Sequence, residues 1–423
     1  MPVMTRQWLI ILILVISEAI ATTFIGSSAR RIHGSTFIEE SDSPKRKRAR
    51  LRSNDHSVGA SKAEIKSDRS GLRDVPLTRS SAKSSPIPSH GLSPGIVNMG
   101  DTCYLSALLQ VTSHIPAFTN LLSWILPQLD IPAESLPETL RPFHALLLSY
   151  MHLVDEISSN TTTSIVPRDI FEALRAALSD GDKYEIHVQQ DAQEALSDLI
   201  NALNDGVNAI KDFLKPSNTI PTDAIRSLFT INIINQKKCT VCSRIVAHNE
   251  PSIITWLSIP KPSSRNFVRS LEDLFHSTFS PELVEGVNCE TCSRNNNAVG
   301  NMFIVDPAPP ILIIGLLRFE STGRKISSKI SLPILLDLSS ISNSTGIYEL
   351  TGLILHHGVR AQSGHYTSQF LEQKNRIWIN ANDSKMNLLP NGPDVTQSSD
   401  VYIMVYTGRR ISNDGDNHHL NNL

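Results

Sequence analysis

Residues 99–110 read MGDTCYLSALLQ, and the role given to Cys103 decides the fold. Gly100-Asp101-Thr102 supplies the small and acidic polar residues that cap helices. Leu105, Leu108 and Leu109 then recur at helical spacing. An amphipathic helix is therefore expected to start near Thr102, with Cys103 in its first turn. Unsatisfied N–H groups at that end stabilise negative charge and suit a thiolate. A single cysteine so placed is either a buried inert thiol or a nucleophile, and a nucleophile needs a base and a group that orients the base.

The other cysteines isolate Cys103. The 423-residue chain has five, four of them paired as Cys239-x-x-Cys242 and Cys289-x-x-Cys292. That is too few, too unevenly spaced, for a disulfide-stapled secreted scaffold. The spacing fits one metal site plus one thiol; the alternative is two local disulfides and a core cysteine. Four thiolates would close a tetrahedral structural zinc site, although the 46 residues between the pairs exceed a short zinc ribbon.

Working outward, helical stripes continue at Phe143 to Leu153 and Ile170 to Leu178. After Phe229 the texture changes to β-branched runs at Ile231 to Ile234 and Ile253 to Ile259. Strand-like runs follow at Ile311 to Phe319, Tyr348 to His356, His365 to Leu371, Arg376 to Asn380 and Asp400 to Tyr406. Helices first and strands later imply an α+β domain. The C-terminal strands hold the candidate bases His356, His357 and His365, which periodicity alone does not rank. Asn382 and Asp383 follow at a strand end, polar enough to hold an imidazole by its second nitrogen, or plain turn formers.

These residues together carry a resemblance. PGIVNMGDTCYLSALLQ at 94–110 is similar to the cysteine box of the ubiquitin-specific proteases, a family of papain-like cysteine deubiquitinases. QQDAQEALSDLI at 189–200 resembles the family's Gln-rich box, and PPILIIGLLRF at 309–319 its apolar strand ending in Arg-Phe. GHYTS and WINANDS resemble its histidine box, and VYIMVYTGR its closing strand. The motifs stand in family order over about 310 residues. The resemblance implies a papain-like fold with a helical thumb, zinc-bearing fingers at about 226–305 and a β-rich palm, the catalytic domain spanning 94–409. It implies hydrolysis of isopeptide or peptide bonds at the C-terminal glycine of ubiquitin, with ubiquitin and ubiquitinated proteins as partners.

Position by position, the family pattern makes Cys103 the nucleophile, His365 the base and Asn382 the third member. An amide there can orient the imidazole but cannot stabilise an imidazolium as a carboxylate would; the neighbouring Asp383 would supply that charge or position a water. Asn98 matches the side-chain donor to the oxyanion, joined by the Cys103 N–H. Asp191 matches an acid that grips the arginine-bearing ubiquitin tail, while Glu194 is expected to be a helix-surface or structural residue. Cys239, Cys242, Cys289 and Cys292 would hold a structural zinc in the fingers, and catalysis itself needs no cofactor. The family usually has Asn where this chain has Asp101 and Ser106. Together with Asn382 these departures motivate the alternative of a weak or inactive ubiquitin-binding module.

Before the domain, residues 1–26 combine Arg6, an apolar run from Trp8 to Ile16 and Ala19-Ile20-Ala21, the pattern of a signal peptide or of a membrane anchor. Residues 27–93 form a basic, Ser-rich stretch with 14 Lys/Arg against 7 Asp/Glu, expected to be a disordered linker. Its KRKRAR at 45–50 would lie near an anionic membrane surface, serve nuclear import, or simply be solvated; no nucleic acid is expected as a partner. Residues 94–423 carry 24 basic and 33 acidic side chains, a balance suited to a basic ligand, and 410–423 read as a flexible tail. Secretion conflicts with reduced thiolates, and Asn382-Asp383-Ser384 is an N-glycosylation sequon. The expectation is therefore an uncleaved anchor with the catalytic domain facing the cytosol, at a mitochondrial or endoplasmic-reticulum surface. The alternatives are secretion after cleavage, or a cytosolic or nuclear protein.

Overall fold

In the computed structural model, which describes residues 92–409 apart from 160–161, 215–218, 261–267, 293, 306, 341–345 and 362, helices come first and strands later. The expectations for residues 1–26, for 27–93 up to its last two residues, and for 410–423 lie outside the described residues. Among the described residues no helix is long and apolar enough to cross a membrane.

A short parallel pair, β1 (Gly95–Ile96) with β2 (Ser164–Ile165), ties the start of the domain to the helical part. Helix α1 (Cys103–Ser113) is buried on every side, Ser106, Gln110 and Thr112 included. It is thus a central helix rather than the amphipathic one that the leucine spacing suggests. Two of its polar side chains find acceptors inside: Gln110 Nε2 donates to Pro94 O at 2.9 Å and Ser106 Oγ to Thr102 O at 3.4 Å. Around it stand α2 (Pro116–Ile125), opened by Pro116 where a missing N–H costs nothing, α3 (Arg141–Ser159), α4 (Arg168–Ala177) and α5 (Ala192–Leu214). Leu196, Leu199, Ile200, Leu203, Val207 and Ile210 form one buried stripe of α5 at helical spacing.

Two sheets follow. The fingers sheet has the order β4-β3-β8-β7, from β3 (Ile231–Cys239), β4 (Ile245–Ser252), β7 (Glu282–Cys289) and β8 (Arg294–Val305). Between them the chain returns to the palm as β5 (Ile254–Ser258), β6 (Val268–Ser270) and α6 (Leu271–Phe279), the helix opened by a Ser270–Asp273 capping box. The fingers are therefore made by two separate stretches on either side of a palm insertion.

The palm sheet has the order β15-β14-β13-β12-β16-β9-β5, with β11 (Leu335–Asp337) on β12. Its strands are β9 (Ile311–Leu317), β12 (Ile347–Arg360), β13 (Ser363–Glu372), β14 (Ile377–Asn382), β15 (Lys385–Leu389) and β16 (Val401–Arg409); β10 (Lys329–Ser331) pairs instead with β6. β9 shows why ILIIGLL reads as a continuous apolar run. Ile311 and Ile313 face the helical core, while Leu312, Ile314 and Leu316 face a second core with Leu271, Leu274 and Phe275 of α6. A strand buried on both faces has no polar alternation, and each such side chain contributes roughly 1.5–3 kcal/mol.

One contact locks thumb to palm and a second ties the palm to itself. The Gln193 amide donates to Leu316 O at 3.3 Å and Tyr402 O at 3.2 Å. Gly315 permits this, since a Cβ there would come within 3.0 Å of Gln193 Nε2 and 2.9 Å of Ile254. The fully buried Arg318 of the Arg-Phe motif binds the carbonyls of Val401, Ile326, Ser328 and Ser398. It thereby ties the loop after β9 to the start of β16.

Candidate active site

The loop before α1 is organised by one side chain. Asn98 Oδ1 accepts from Gly100 N at 3.1 Å, Thr102 N at 3.0 Å and Thr102 Oγ1 at 3.3 Å, and Met99 N donates to Thr102 Oγ1 at 2.8 Å. Thr102 is the residue before the helix, and its side chain makes no cap bond to it. Asp101 does not cap either: it is exposed, with a left-handed φ of 54°. Gly100, at φ 115°, is pressed against His187, whose ring a Cβ would meet at 2.5 Å. The result presents Cys103, 3% exposed, in a helical first turn whose N–H groups have no intrahelical acceptor.

β13 delivers the base. The His365 imidazole interacts with Cys103, and its Nε2 lies 2.7 Å from Asn382 Oδ1. Because an amide oxygen only accepts, Nε2 carries the proton and Nδ1 is left for the sulfur. The interaction with Cys103, then the bond to Asn382 and the Asp383 charge, raise the imidazole to about 9 against the opposing cost of burial. Asp383 Oδ2 is 3.8 Å from the same Nε2 and takes a bond from Asn98 Nδ2 at 3.3 Å. Burial raises the Asp383 carboxyl, with His365 and Asn98 opposing. One further donor serves the sulfur: Tyr366 N–H points at Sγ across 3.5 Å.

The other two histidines stand apart from the sulfur. His357 is engaged by Thr367 Oγ1 at 2.7 Å and Asp400 at 3.3 Å. His356 is fully buried and held near 4 by desolvation and the Lys325 charge.

The five expected catalytic residues, Cys103, His365, Asn382, Asn98 and Asp383, thus meet in one network, drawn from α1, its preceding loop, β13 and the β14–β15 turn. A profile of the ubiquitin carboxyl-terminal hydrolases matches residues 94–406, nearly the whole described domain. The chain belongs to the ubiquitin carboxyl-terminal hydrolase family.

Within that family the chain is 26% identical over 324 residues to ubiquitin carboxyl-terminal hydrolase 36 of Drosophila mojavensis, covering 74% of this chain and 26% of that protein. It thus spans about a quarter of the length of such Drosophila relatives. Against the Homo sapiens Ubl carboxyl-terminal hydrolase 18 it is 26% identical over 366 residues, covering 80% of this chain and 90% of the relative. The fold is shared with Ubp8 of a SAGA DUB module bound to monoubiquitin, at a TM-score of 0.60 and 22% identity over 75% of this chain and 69% of that one.

The fingers of this hydrolase-family domain carry the four-cysteine cluster. Cys239, Cys242, Cys289 and Cys292 place their sulfurs within 4.8 Å of one another, with 3.8 Å between Cys239 and Cys292 and 3.6 Å between Cys242 and Cys289. Tetrahedral zinc with Zn–S near 2.3 Å requires sulfurs about 3.8 Å apart, so the set fits the ion, and none of the five cysteines is in a disulfide. Backbone N–H groups of Cys242 and Val241 hold Cys239 below the usual thiol range, and those of Cys292 and Thr291 bring Cys289 to about 6. Such N–H donors compensate thiolate charge around a metal.

Asp191 has duties that the motif does not reveal. Its Oδ1 accepts from Gln193 N at 2.7 Å, capping α5, and its Oδ2 accepts from Tyr402 OH; burial raises its carboxyl. Glu194 is a surface residue bonded to Lys183 at 2.7 Å. Sequence reasoning passed over Gln189, Tyr366 and Tyr402. Gln189 Oε1 accepts from Gly364 N at 3.2 Å, and Tyr366, whose N–H meets the Cys103 sulfur, packs against Tyr402 with ring centroids 6.1 Å apart. Their signal was present as the Tyr of GHYTS, the Tyr of VYIM and the first Gln of QQD.

Proposed function

We propose that the chain is a thiol-dependent ubiquitinyl hydrolase. The observation that carries this is His365 interacting at once with Cys103 and, at 2.7 Å, with Asn382. His365 Nδ1 takes the thiol proton as Cys103 Sγ attacks the carbonyl of the C-terminal glycine of ubiquitin. The oxyanion accepts hydrogen bonds from the second Nδ2 hydrogen of Asn98 and from the Cys103 N–H. His365 then gives its proton to the departing lysine amine, leaving a thioester on Cys103. A water deprotonated by the same imidazole hydrolyses the thioester and returns the free carboxylate and the thiol. Zinc in the fingers supplies structural cross-linking and takes no part in these steps.

Asp191, set between α5 and Tyr402, retains lone pairs beyond its two bonds and is our candidate for gripping the basic ubiquitin tail. The family membership and the acidic balance of the domain support ubiquitin and ubiquitinated proteins as partners. We also propose that residues 1–26 anchor the protein with the catalytic domain in the cytosol, where Cys103 and the zinc thiolates stay reduced. Fractionation with N-terminal sequencing tests this: a mature chain beginning near Thr22 in the medium would sink the anchor.

The test of the activity is reaction with a ubiquitin bearing a C-terminal electrophile. Wild type should form a covalent adduct and Cys103→Ser none; an unreactive wild type that still binds ubiquitin would make the domain a binding module.

A further inference from the structure

The domain is acidic in balance, yet two arginines are forced together at the rim of the catalytic cleft. The loop after Arg318, FESTGRK, folds back on the tip of the β12–β13 hairpin. Lys325 N donates to Val359 O at 2.9 Å and Ala361 N to Gly323 O at 3.0 Å. This docking sets Arg324 directly opposite Arg360 in an antiparallel bridge. Residues so paired have Cβ atoms about 4.5–5.5 Å apart, and like charges there repel.

Both side chains are exposed, and among the described residues neither has an ion pair or a side-chain hydrogen bond. Other arginines of the domain are matched: Arg226 with Asp205 and Asp223, Arg244 with Glu290, Arg376 and Arg409 with Glu349. Asp400 is engaged by Lys325 and His357, and Glu320 accepts from the Thr322 hydroxyl at 3.5 Å. Thr322, Arg324, Val359 and Arg360 line a concave space of about 370 Å³. It lies close to the chemistry, because His357 pairs with His365 and Arg360 is three residues further along the same strand, roughly 10 Å at strand rise.

Two guanidiniums set against their own repulsion, with no ion pair among the described residues, form a doubly cationic receptor for a carboxylate. We propose that Arg324 and Arg360 form a specificity subsite that reads an acidic side chain of the ubiquitin conjugate at the cleft rim. This rests on the hydrolase reading and adds to it a preference among conjugates. Bringing a carboxylate between the two cations removes a repulsion present in the free protein, so the gain appears in substrate binding rather than in the chemical step.

The experiment compares the full-length wild type with the Arg324→Gln/Arg360→Gln and Arg324→Lys/Arg360→Lys double variants. Three substrates are used: ubiquitin with a C-terminal fluorophore amide, and two ubiquitin–peptide isopeptide conjugates with Asp or Asn beside the modified lysine. The Gln pair should lose about 3- to 10-fold in kcat/KM at low salt, mostly through KM, and the gap should close as salt screens it. The Lys pair should keep most of the wild-type rate. A loss on all three substrates assigns the acid to ubiquitin; a loss confined to the Asp conjugate assigns it to the target protein. Turnover that the Gln pair leaves unchanged, a loss that the Lys pair shares in full, or one indifferent to salt overturns the proposal alone. A wild type that leaves the fluorophore conjugate intact defeats the hydrolase reading and the proposal with it.

Discussion

His365 Nε2 sits 2.7 Å from Asn382 Oδ1 and 3.8 Å from Asp383 Oδ2, so an amide holds the imidazole while the adjacent residue brings a charge beside it. β13 and β14 pair from Glu372↔Ile377 to Ser368↔Ala381, and beyond that pairing His365 and Asn382 face each other. The division of labour predicts separable effects. Asn382→Ala should lower kcat/KM by about 10- to 100-fold through misorientation. Asp383→Asn should cost about tenfold and bring the imidazole down from about 9, read by NMR titration of the His365 ring. Equal ring titration in wild type and Asp383→Asn would remove the charge from the argument.

Asn98 has two functions in one amide. Its oxygen holds the loop through Gly100 and Thr102, and its nitrogen faces Asp383 with one hydrogen left for the oxyanion. Asn98→Ala should lower kcat by ~10² to 10³ with little change in KM. Asn98→Asp, which can keep the loop bonds but lacks the donor and sets a second carboxylate against Asp383, should be as slow and should melt below wild type. Full activity of the Asp variant would exclude the oxyanion role.

Asp101 answers a question left by the motif. The position needs a left-handed backbone, φ 54°, which Asn tolerates well among non-glycine residues, and it is exposed, away from the His365 bonds. Asp101→Asn should therefore stabilise by less than about 1 kcal/mol and change kcat/KM by less than about threefold. A large gain in rate, measured on ubiquitin–fluorophore, would show that the acid restrains the loop. Ser106 is similarly quiet, its hydroxyl bonded back to Thr102 O at 3.4 Å.

The four fingers cysteines predict one zinc per chain. Purified protein should contain about one equivalent by elemental analysis, and Cys242→Ser or Cys289→Ser should reduce it toward none. Apparent affinities of structural zinc sites at neutral pH are worth about 10–16 kcal/mol, so a strong chelator should release the ion only with unfolding of the β3–β4–β7–β8 sheet, followed by hydrogen exchange. A metal-free protein with the same exchange protection would deny the fingers their cross-link.

The candidate site was legible because each member lies in a short motif with its own chemistry: a thiol at a helix start, a histidine in GHYTS, a polar strand end. The α+β order was equally open, since β9 and β16 are apolar runs and α3 and α4 are striped. What stayed hidden depends on partners distant in the chain. The polar residues of α1 could not announce burial, because Gln110 Nε2 meets its acceptor, Pro94 O, only once the domain closes. The bond from Tyr402 to Asp191 was hidden because the tyrosine lies 211 residues away, beyond local reading. The palm insertion inside the fingers and the Arg324–Arg360 pairing likewise arise from strand register, which no local pattern encodes.

Histidine environments predict a stability maximum with two distinct flanks. His365 is raised to about 9, above the unfolded value near 6.5, so the folded state binds a proton that the unfolded chain gives up. Its contribution is fully present below about pH 6.5 and is lost as pH rises through about 9. His114 and His356 behave oppositely. Both are held near 4, His114 by burial between Gln110 O and the Phe370 ring, His356 by burial and the Lys325 charge, with His357 adding to the shift and Asp400 opposing it. For these two the unfolded chain binds the extra proton between about pH 4 and 6.5, so stability falls as pH drops through that window. Urea midpoints at pH 5, 7 and 9.5 should show both limbs. His365→Gln should flatten the alkaline one and His356→Leu the acid one. An alkaline limb that survives His365→Gln would mean that another group, and not the Cys103–His365–Asn382 network, holds the proton.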